Sequence, residues 1–510
     1  MRGITQQGAV AAPADISHVA CSKRQQLIVL VVAILGSTLG FIDGTIVAII
    51  APDIRADLDA SLATISWVVN GYTLVLTAFI LVGGSAGDVF GRRRVFGLGI
   101  AIFALASLAC AIALNGGQLI GARVVQGLGA ALMVPSSLAL IATYYPREER
   151  GRAVGIWAAA SGVSAAIGPI LGGALVDAFG WRSTFYINLP IAAVTLWLLW
   201  TRVPDDAHRT VTQKLDWIGA FLAVAALGLL AFSLTLMGEG GELGETIALG
   251  TPMLVGMVAL GLLACALFLW HEGRTGDPMM PLGMFSAPGF SAVNAATFLL
   301  YAALGGLLFF LPVTLLSAYN FSALAVGSVF LPFTAVMALI TPRVGTLVDS
   351  IGVRLPLAIG AGIAGLSFWL TSLAAGTGSL ILVGGSLVVL GVGMGLCIPP
   401  LSTAIINAVS DAQSGAASGI NNAVSRAGGL FAVAAFAPLG AFAYGNADGL
   451  PGFAVPGAPG LSVDDQTLHQ LASLQAYATL AWIALALALL SAVLVLVFVK
   501  SERKSADEDN

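Results

Sequence analysis

The sequence predicts an all-α integral membrane protein with fourteen transmembrane helices. Three observations lead to this fold class: the composition, the length of the apolar segments and the distribution of basic residues. Of the 510 residues, 58% are hydrophobic and only 9% are charged, whereas soluble domains are about 25% charged. A water-soluble globular fold is therefore excluded.

Fourteen apolar segments are long enough to cross a bilayer, which takes about 20 residues in a helix. They are continuously apolar, which excludes the alternating strands of a membrane β-barrel. The predicted spans are Leu27–Ile50, Thr64–Gly84, Val95–Leu114, Gln118–Ala142, Ala153–Val176, Thr184–Trp200, Trp217–Met237, Thr251–Trp270, Gly289–Leu315, Leu324–Ile340, Pro356–Leu373, Leu380–Ile406, Ile420–Phe442 and Leu474–Val499.

Basic residues fall on one set of alternate connections between these spans. Counting from the sequence, 18 of the 22 Lys and Arg residues lie there, whereas Arg55 and Arg182 lie on the opposite set and Arg123 and Arg426 lie within spans. The positive-inside rule then predicts that both termini are cytoplasmic and that the protein is a multi-pass protein of the plasma (inner) membrane. Adding or removing one helix would scramble this segregation, so the basic residues support fourteen spans.

An internal repeat predicts the domain organisation. GRAVG at 151–155 matches GAASG at 415–419, and the turn at 84–93 matches 345–354. Two halves that repeat in the same direction indicate two six-helix bundles related by an axis along the membrane normal, and the excess length between the copies indicates two inserted central helices. The predicted domains are a cytoplasmic tail at 1–26, a first bundle at 27–203, the inserted pair at 204–275, a second bundle at 276–500 and a cytoplasmic tail at 501–510.

The second bundle contains a long outer connection at 444–473, rich in Gly and Pro. Most connections in compact domains have about 4–6 residues. We favour a tolerated loop here, and the alternative is a small lid or hairpin over an exit path.

Asp43 is the only acidic residue predicted to lie well inside a span. A charge at this depth costs at least about 2.5–3.5 kcal/mol on insertion scales. Arg123 is predicted at the same level, about 10 Å below the outer boundary at 1.5 Å per residue, so we expect a charge pair. The alternative is a structural ion pair that only fixes helix packing.

A functional hypothesis follows from the electrostatics of a buried carboxylate. Burial disfavours its charged form and a neighbouring cation favours it. A rearrangement that separates Asp43 from Arg123 therefore changes the proton affinity of Asp43. The hypothesis is that Asp43 binds the coupling proton and that Arg123 tunes it.

Four further polar residues within spans are weaker candidates. Asn70, Asn294 and Asn407 are candidate cavity residues, although we favour helix-to-helix hydrogen bonds for Asn294 and Asn407. Arg426 is predicted near the cytoplasmic start of span thirteen, where a long side chain can reach the interface. We therefore interpret Arg426 as structural or interfacial.

A glycine-flanked charged turn joins the second and third spans. Asp88 and Arg92 are four positions apart, a spacing at which a carboxylate and a guanidinium can meet, and the glycines permit close backbone approach. Recurrence of the turn in the second half argues against an ordinary basic loop and predicts a cytoplasmic gating motif. Its residues are Gly84, Asp88, Gly91, Arg92 and Arg93, with Asp349, Gly352 and Arg354 in the second copy.

These motifs resemble the major facilitator superfamily over residues 27 to 500. FIDGTIVAIIAP at 41–52 resembles the first-helix motif of the fourteen-spanner drug:proton antiporters (EmrB/QacA type), departing from it at Ala48, Ile50 and Ala51. LIGARVVQGLGAA at 119–131 resembles the fourth-helix motif, with Arg123 as its buried arginine. A fifth-helix motif of proton-driven exporters is matched by Gly155, Ser164, Gly168, Pro169, Gly172 and Gly173, with serine at 164 where glycine is usual.

The resemblance implies a proton-coupled exporter of lipophilic, amphipathic or cationic compounds that works by alternating access. The alternatives are a proton-coupled or facilitative carrier of one endogenous metabolite or lipid, and a sensor that has lost transport. No GxxxxGK[ST] loop occurs, which argues against ATP as the energy source. The four cysteines show no metal or disulfide spacing, and no catalytic constellation is visible, so neither an enzyme nor a metal site is predicted.

The expected partners follow from this interpretation. They are a small-molecule substrate, protons and the lipid bilayer, with no nucleic acid and no cofactor beyond the proton gradient. A monomer is favoured, and a channel partner in an outer envelope is left open.

Overall fold

The computed structural model describes residues 22–205, 216–237, 251–276, 278–319, 321–409, 413–445, 452–453 and 462–499. Within these ranges it does not describe the side chains at 81, 88, 147–148, 151, 158–159, 162, 165–166, 251–252, 346, 349 and 414–415. The predicted tail at 501–510 lies outside the described residues, as do residues 1–21 of the tail at 1–26 and residues 446–451 and 454–461 of the connection at 444–473.

The described residues form sixteen α-helices and a 3₁₀ turn at Leu282–Ser286, and no strand occurs among them. The helices are α1 Lys23–Leu58, α2 Leu62–Phe90, α3 Arg92–Ala111, α4 Gly116–Tyr144, α5 Arg147–Phe179, α6 Ser183–Tyr186, α7 Asn188–Arg202, α8 Trp217–Leu236, α9 Thr251–Glu272, α10 Pro288–Tyr319, α11 Ala323–Ser328, α12 Leu331–Ile351, α13 Arg354–Gly376, α14 Leu380–Asn407, α15 Ser414–Tyr444 and α16 Val463–Phe498.

Thirteen segments of the described chain are helical, long and apolar enough to cross a membrane. Two of them, Ser183–Arg202 and Ala323–Gly345, combine a short helix with the helix that follows it. Each of the fourteen predicted spans overlaps one or more helices of the structure. The structure thus confirms an all-α architecture with many membrane-length helices.

Local chemistry explains where several helices begin. A side-chain oxygen accepts a hydrogen bond from a backbone N–H in the first turn of these helices, which satisfies a donor that has no partner within the helix. The residues that cap helices in this way are Ser22, Ser61, Asn115, Asp216, Ser322, Ser379 and Ser462.

Helix packing defines two groups of helices. In the first, α2 and α3 pack on α4, and α1 packs on α5 and α7. In the second, α14 packs on α12 and α13, and α10 packs on α15 and α16. The groups meet where α5 contacts α11, where α2 contacts α15 and where α1 contacts α10, while α8 packs against α9, α2 and α15 beside this junction.

The two ends of the helix assembly are named here by the first and last residues of α1. The Lys23 face contains the start of α1, where Lys23 forms an ion pair with Glu149 at the start of α5. The Leu58 face contains the end of α1, where Asp57 forms an ion pair with Arg182 at 2.6 Å.

Candidate functional site

Asp43 and Arg123 form an ion pair in the interior of the protein. Asp43 on α1 is 3% exposed and Arg123 on α4 is 1% exposed, and Nη1 of Arg123 contacts Oδ2 of Asp43. The two residues come together because α1 packs against α4. The structure therefore brings together Asp43 and Arg123, which the sequence predicted to lie at the same depth and to form a charge pair.

Gln126 completes this pair, and the sequence reasoning missed it. Its Nε2 donates to Oδ1 of Asp43 at 2.9 Å and also to Oγ of Ser107 on α3 at 2.9 Å. Its Oε1 accepts from Nη1 of Arg123 at 2.6 Å. Asn188 on α7 donates to the same Ser107 hydroxyl at 3.2 Å. Gln126 follows Arg123 by three positions on one helix, a spacing that places both side chains on one face.

Aromatic rings cover the arginine. The guanidinium carbon of Arg123 lies 4.3 Å from the ring centroid of Tyr72 on α2 and 6.0 Å from that of Phe185 on α6. Its Nε donates to the carbonyl oxygen of Val68 at 3.0 Å. Cation–π contacts strengthen as water is removed, so the cluster holds a charged guanidinium in a place that water barely reaches.

The predicted fifth-helix motif lies at close helix contacts of α5. A Cβ at Gly168 would overlap Thr45 of α1, and a Cβ at Gly172 would lie 2.8 Å from Ile46. A Cβ at Gly173 would overlap the carbonyl oxygen of Ala323 on α11. These glycines let α5 touch α1 on one side and the second helix group on the other.

The remaining motif positions divide into contact and open positions. The backbone of Pro169 lies so near Gly327 that a Cβ there would overlap it, whereas nothing lies within 4 Å of a Cβ placed at Gly155. Ser164 makes a 2.9 Å hydrogen bond with Thr38 of α1, so the serine that departs from the family pattern adds a contact between α5 and α1.

The two charged turns share their geometry. Gly91 and Gly352 precede α3 and α13 with φ of 93° and 79°, a left-handed conformation that favours glycine. Arg93 donates to the carbonyl oxygens of Leu199 and Trp200 near the end of α7. Arg354 donates to Leu496 near the end of α16, which is the equivalent contact in the second half and matches the sequence repeat.

Other parts of the charged-turn prediction need correction. Close backbone approach occurs at Gly83, where a Cβ would overlap the Ala131 carbonyl, while a Cβ at Gly84 would have ordinary space. Arg92 donates to Ala139 and Thr143 of α4. The side chains of Asp88 and Asp349 lie outside the described residues, so the predicted contact between Asp88 and Arg92 stays a prediction.

The three asparagines lie in different surroundings. Asn70 is fully buried and neither amide atom has a described partner, so it does not line accessible space in this structure. Asn294 accepts from Asn421 of α15 at 3.2 Å, a helix-to-helix hydrogen bond of the predicted kind. Asn407 is the exposed last residue of α14, so it lies at a helix end and not within a cavity at membrane depth.

Arg426 lies farther from the start of its helix than the predicted span indicated. It lies twelve residues after the start of α15 at Ser414, which is about 18 Å along the helix. Its hydrogen-bond partner is Asn422 of the same helix. The predicted span began at Ile420 because the preceding residues are small and polar, whereas the helix begins six residues earlier and moves the arginine toward its middle.

The protein has membrane-length helices in two similar groups, and an ion pair is buried where helices of the first group meet. These features are typical of a multi-pass membrane transporter. The chain belongs to the Major Facilitator Superfamily, whose family model matches residues 33–433. It is thus a transporter and not an enzyme.

Named relatives are similar over most of their length. The chain is 35% identical over 405 residues to "Multidrug resistance protein Stp" of Mycobacterium tuberculosis, covering 79% of this chain and 73% of that protein. It is 30% identical over 436 residues to "Tetracenomycin C resistance and export protein" of Streptomyces glaucescens, covering 85% and 80%.

Solved structures share the fold at low sequence identity. A POT family transporter in complex with 5-aminolevulinic acid has a TM-score of 0.66 at 15% identity, covering 94% of this chain and 97% of that chain. The inward open xylose transporter XylE from E. coli has a TM-score of 0.61 at 15% identity, covering 94% and 98%.

Proposed function

We propose that this protein is a proton-coupled secondary active exporter of lipophilic or amphipathic drugs or toxic compounds. The observation that carries the proposal is the buried cluster of Asp43, Arg123 and Gln126, a carboxylate whose charge is balanced by one cation. The names of the relatives, multidrug resistance and export proteins, support the direction and the type of cargo.

Asp43 binds the proton, and Arg123 sets how readily it does so. An intramembrane acid without a structural need is expensive, and its neutral form no longer attracts the arginine. Protonation thus weakens the contact between α1 and α4 and favours the arrangement of helices that delivers the proton. The proton gradient is the driving force, and no cofactor is required.

Export by alternating access needs a seal on one side at a time, and the contacts of α5 supply one at the Leu58 face. Both carboxylate oxygens of Asp177 accept hydrogen bonds from the backbone of Ala323 and Leu324 across the two helix groups. Arg55 of α1 donates to the carbonyl of Phe453 at 3.1 Å, also across the groups. The structure thus represents a state closed at this face.

We further propose the orientation and the number of spans. The Lys23 face carries the basic connections and is cytoplasmic in the plasma (inner) membrane, with both termini on that side. The span that brings the thirteen membrane-length segments to fourteen is α5, which has 33 residues and corresponds to the fifth predicted span. The two bundles at 27–203 and 276–500 move relative to each other, with the pair at 204–275 beside them, and the working unit is a monomer with a small-molecule substrate.

The test of proton coupling is Asp43→Asn in energised inverted vesicles that take up a fluorescent drug. Uptake driven by the proton gradient is expected to fall at least about 100-fold, while exchange of the drug without a gradient persists. The matched control is Asp59→Asn at the exposed end of α1, where φ is +46° and asparagine is readily accommodated. Full gradient-driven uptake by the Asp43→Asn protein would refute the role of Asp43.

The second candidate is a carrier of one endogenous metabolite or lipid on the same fold. The fold likeness to xylose and POT family transporters favours it only at the level of architecture. A strain that lacks the protein distinguishes the two: sensitivity to several unrelated drugs supports export of drugs, and unchanged drug tolerance with loss of one metabolite flux supports the carrier.

A further inference from the structure

One side of α15 is polar and accessible from the Lys23 face to the middle of the helix. Ser418 and Asn422 are exposed and Arg426 is partly exposed, and the four-residue spacing stacks them on one side. Charged groups at membrane depth face the bundle interior or a water-filled cavity and not lipid. The stripe of Ser418, Asn422 and Arg426 is therefore expected to face accessible space inside the bundle and not lipid.

Contacts on both sides fix the rotation of α15. Asn421 donates to Thr297 of α10 at 2.9 Å, and Gly428 approaches α10 so closely that a Cβ would lie 2.5 Å from the Phe298 carbonyl. On another side, Leu430 packs with Leu74 of α2. Arg426 projects between these two contact faces, which is toward the gap between the helix groups.

The environment of Arg426 leaves its charge unbalanced. Its Nε donates to Oδ1 of Asn422 at 2.9 Å, and the phenol groups of Tyr72 and Tyr301 are within electrostatic range. In the part of the chain that the structure describes, no carboxylate forms an ion pair with it. A guanidinium has five N–H donors, so four remain for a ligand.

Arg123 in the same protein is an example of a buried arginine whose charge is balanced by its partners. It has a carboxylate, an amide and a backbone carbonyl as partners and is 1% exposed. Arg426 is partly exposed, and its hydrogen-bond partner among the described residues is the amide of Asn422. A structural arginine in the interior would be surrounded by hydrogen-bond acceptors, because an uncompensated buried charge costs several kcal/mol. Arg426 thus lacks the partners of a structural residue and has those of a receptor for an anion.

We propose that Arg426 is an anion-binding subsite that receives the carboxylate of an amphipathic substrate in the central path. This inference rests on the proposed export function and specifies its substrate class. A carboxylate matches the planar fork of the guanidinium with two parallel hydrogen bonds. Tyr301 on α10, which is partly exposed, supplies aromatic surface for the apolar body of the substrate.

The test compares three probes with one body and different charge: dansylglycine, which is anionic, its neutral glycinamide, and the cationic dansyl-ethylenediamine. Binding to the purified full-length protein is followed by energy transfer from tryptophan to the dansyl group. We expect dansylglycine to bind at least about tenfold tighter than the glycinamide, the order expected for a charge-assisted hydrogen bond. Arg426→Gln abolishes this preference and Arg426→Lys keeps part of it.

Arg24→Gln is the matched control, because Arg24 is an exposed arginine at the start of α1, and it keeps the preference for dansylglycine. Three results would overturn the inference. In the first, Arg426→Gln still prefers dansylglycine. In the second, this variant binds all three probes equally more weakly. In the third, phosphatidylglycerol in nanodiscs displaces dansylglycine from the wild-type protein, and the protein in phosphatidylcholine nanodiscs shows no preference for the anionic probe. The last would assign the arginine to a lipid headgroup.

The binding assay needs no gradient, so its failure is separable from failure of the export function. If the proton gradient drives drug uptake but Arg426→Gln leaves the anion preference unchanged, only the proposed substrate class is refuted. Arginine-dependent anion binding without gradient-driven uptake in wild-type vesicles refutes proton-coupled export alone.

Discussion

Gln126 offers a sharp test of the proton site, because it touches both charges of the buried pair without carrying charge itself. It donates to Oδ1 of Asp43 and accepts from Arg123. Gln126→Leu removes these two hydrogen bonds, together with those to Ser107 and from the Cys110 thiol, at similar volume and leaves the ion pair itself in place. Ser107 and Asn188 keep each other as partners.

The loss of unfolding free energy in Gln126→Leu can be estimated from these contacts. A hydrogen bond to a charged group contributes about 1.5–3 kcal/mol, and the two bonds share one network and are not additive, so we expect a loss of about 3 kcal/mol in unfolding free energy. The bond from Gln126 to Asp43 favours only the charged carboxylate. Its removal therefore favours the protonated form of this carboxyl group.

The assay is drug uptake into inverted vesicles as a function of pH, with thermal unfolding in detergent as the measure of stability. We expect the half-maximal pH of transport to move upward. Gln118→Leu is the matched control on the same helix, since Gln118 is exposed and accepts from the Leu114 backbone at 2.9 Å. It should leave the pH profile unchanged.

A pH profile that stays in place in Gln126→Leu, with the expected loss of stability, would show that the cluster is a structural element only. A downward shift would contradict the sign of the argument. The first result would remove Asp43 from the coupling mechanism proposed above, and the second would refute the role given to the hydrogen bond from Gln126.

Two more predictions concern the Leu58 face. Gly173→Val places a branched side chain against the Ala323 carbonyl, so α5 and α11 must separate. Spin labels across the Leu58 face should then report longer distances, and transport should fall at least about tenfold. Unchanged distances would refute the seal. Phe453→Ala removes a 4% exposed ring stacked on Phe310 at 5.6 Å, which should cost about 3–5 kcal/mol of unfolding free energy. Phe442→Ala, at an 88% exposed position, should cost little, and equal losses would contradict the docked position of Phe453.

Phe453 also bears on the predicted outer connection. The sequence favoured a tolerated loop, with a lid as the alternative. Phe453 packs against Tyr444 and receives a hydrogen bond from Arg55, so at this residue the connection is docked on the helices. Composition could not reveal this, because a single buried ring in a Gly- and Pro-rich stretch leaves no periodic signal.

The depth argument for Asp43 and Arg123 succeeded because both depths are counted along helices with a fixed rise. For Arg426 the helix begins six residues before the predicted span, so its position along the helix differs from the one counted in the sequence. A stretch such as Ser414–Gly419 is polar enough to end an apolar run and still helical. Hydropathy locates the lipid-matched part of a helix, and the hydrogen-bonded helix extends beyond it.

The sequence by itself determined the helical class, the repeat, the membrane-length segments and the level of the buried charges, because apolar length and charge placement are properties of one chain segment at a time. The tertiary structure decided which side chains complete the site: Gln126 and Ser107 beside Asp43, Tyr72 over Arg123, and an open face for Arg426. These depend on the rotation of each helix about its axis. Close contacts at residues such as Gly83, Gly168 and Gly428 set that rotation, and their partners lie far away in the chain.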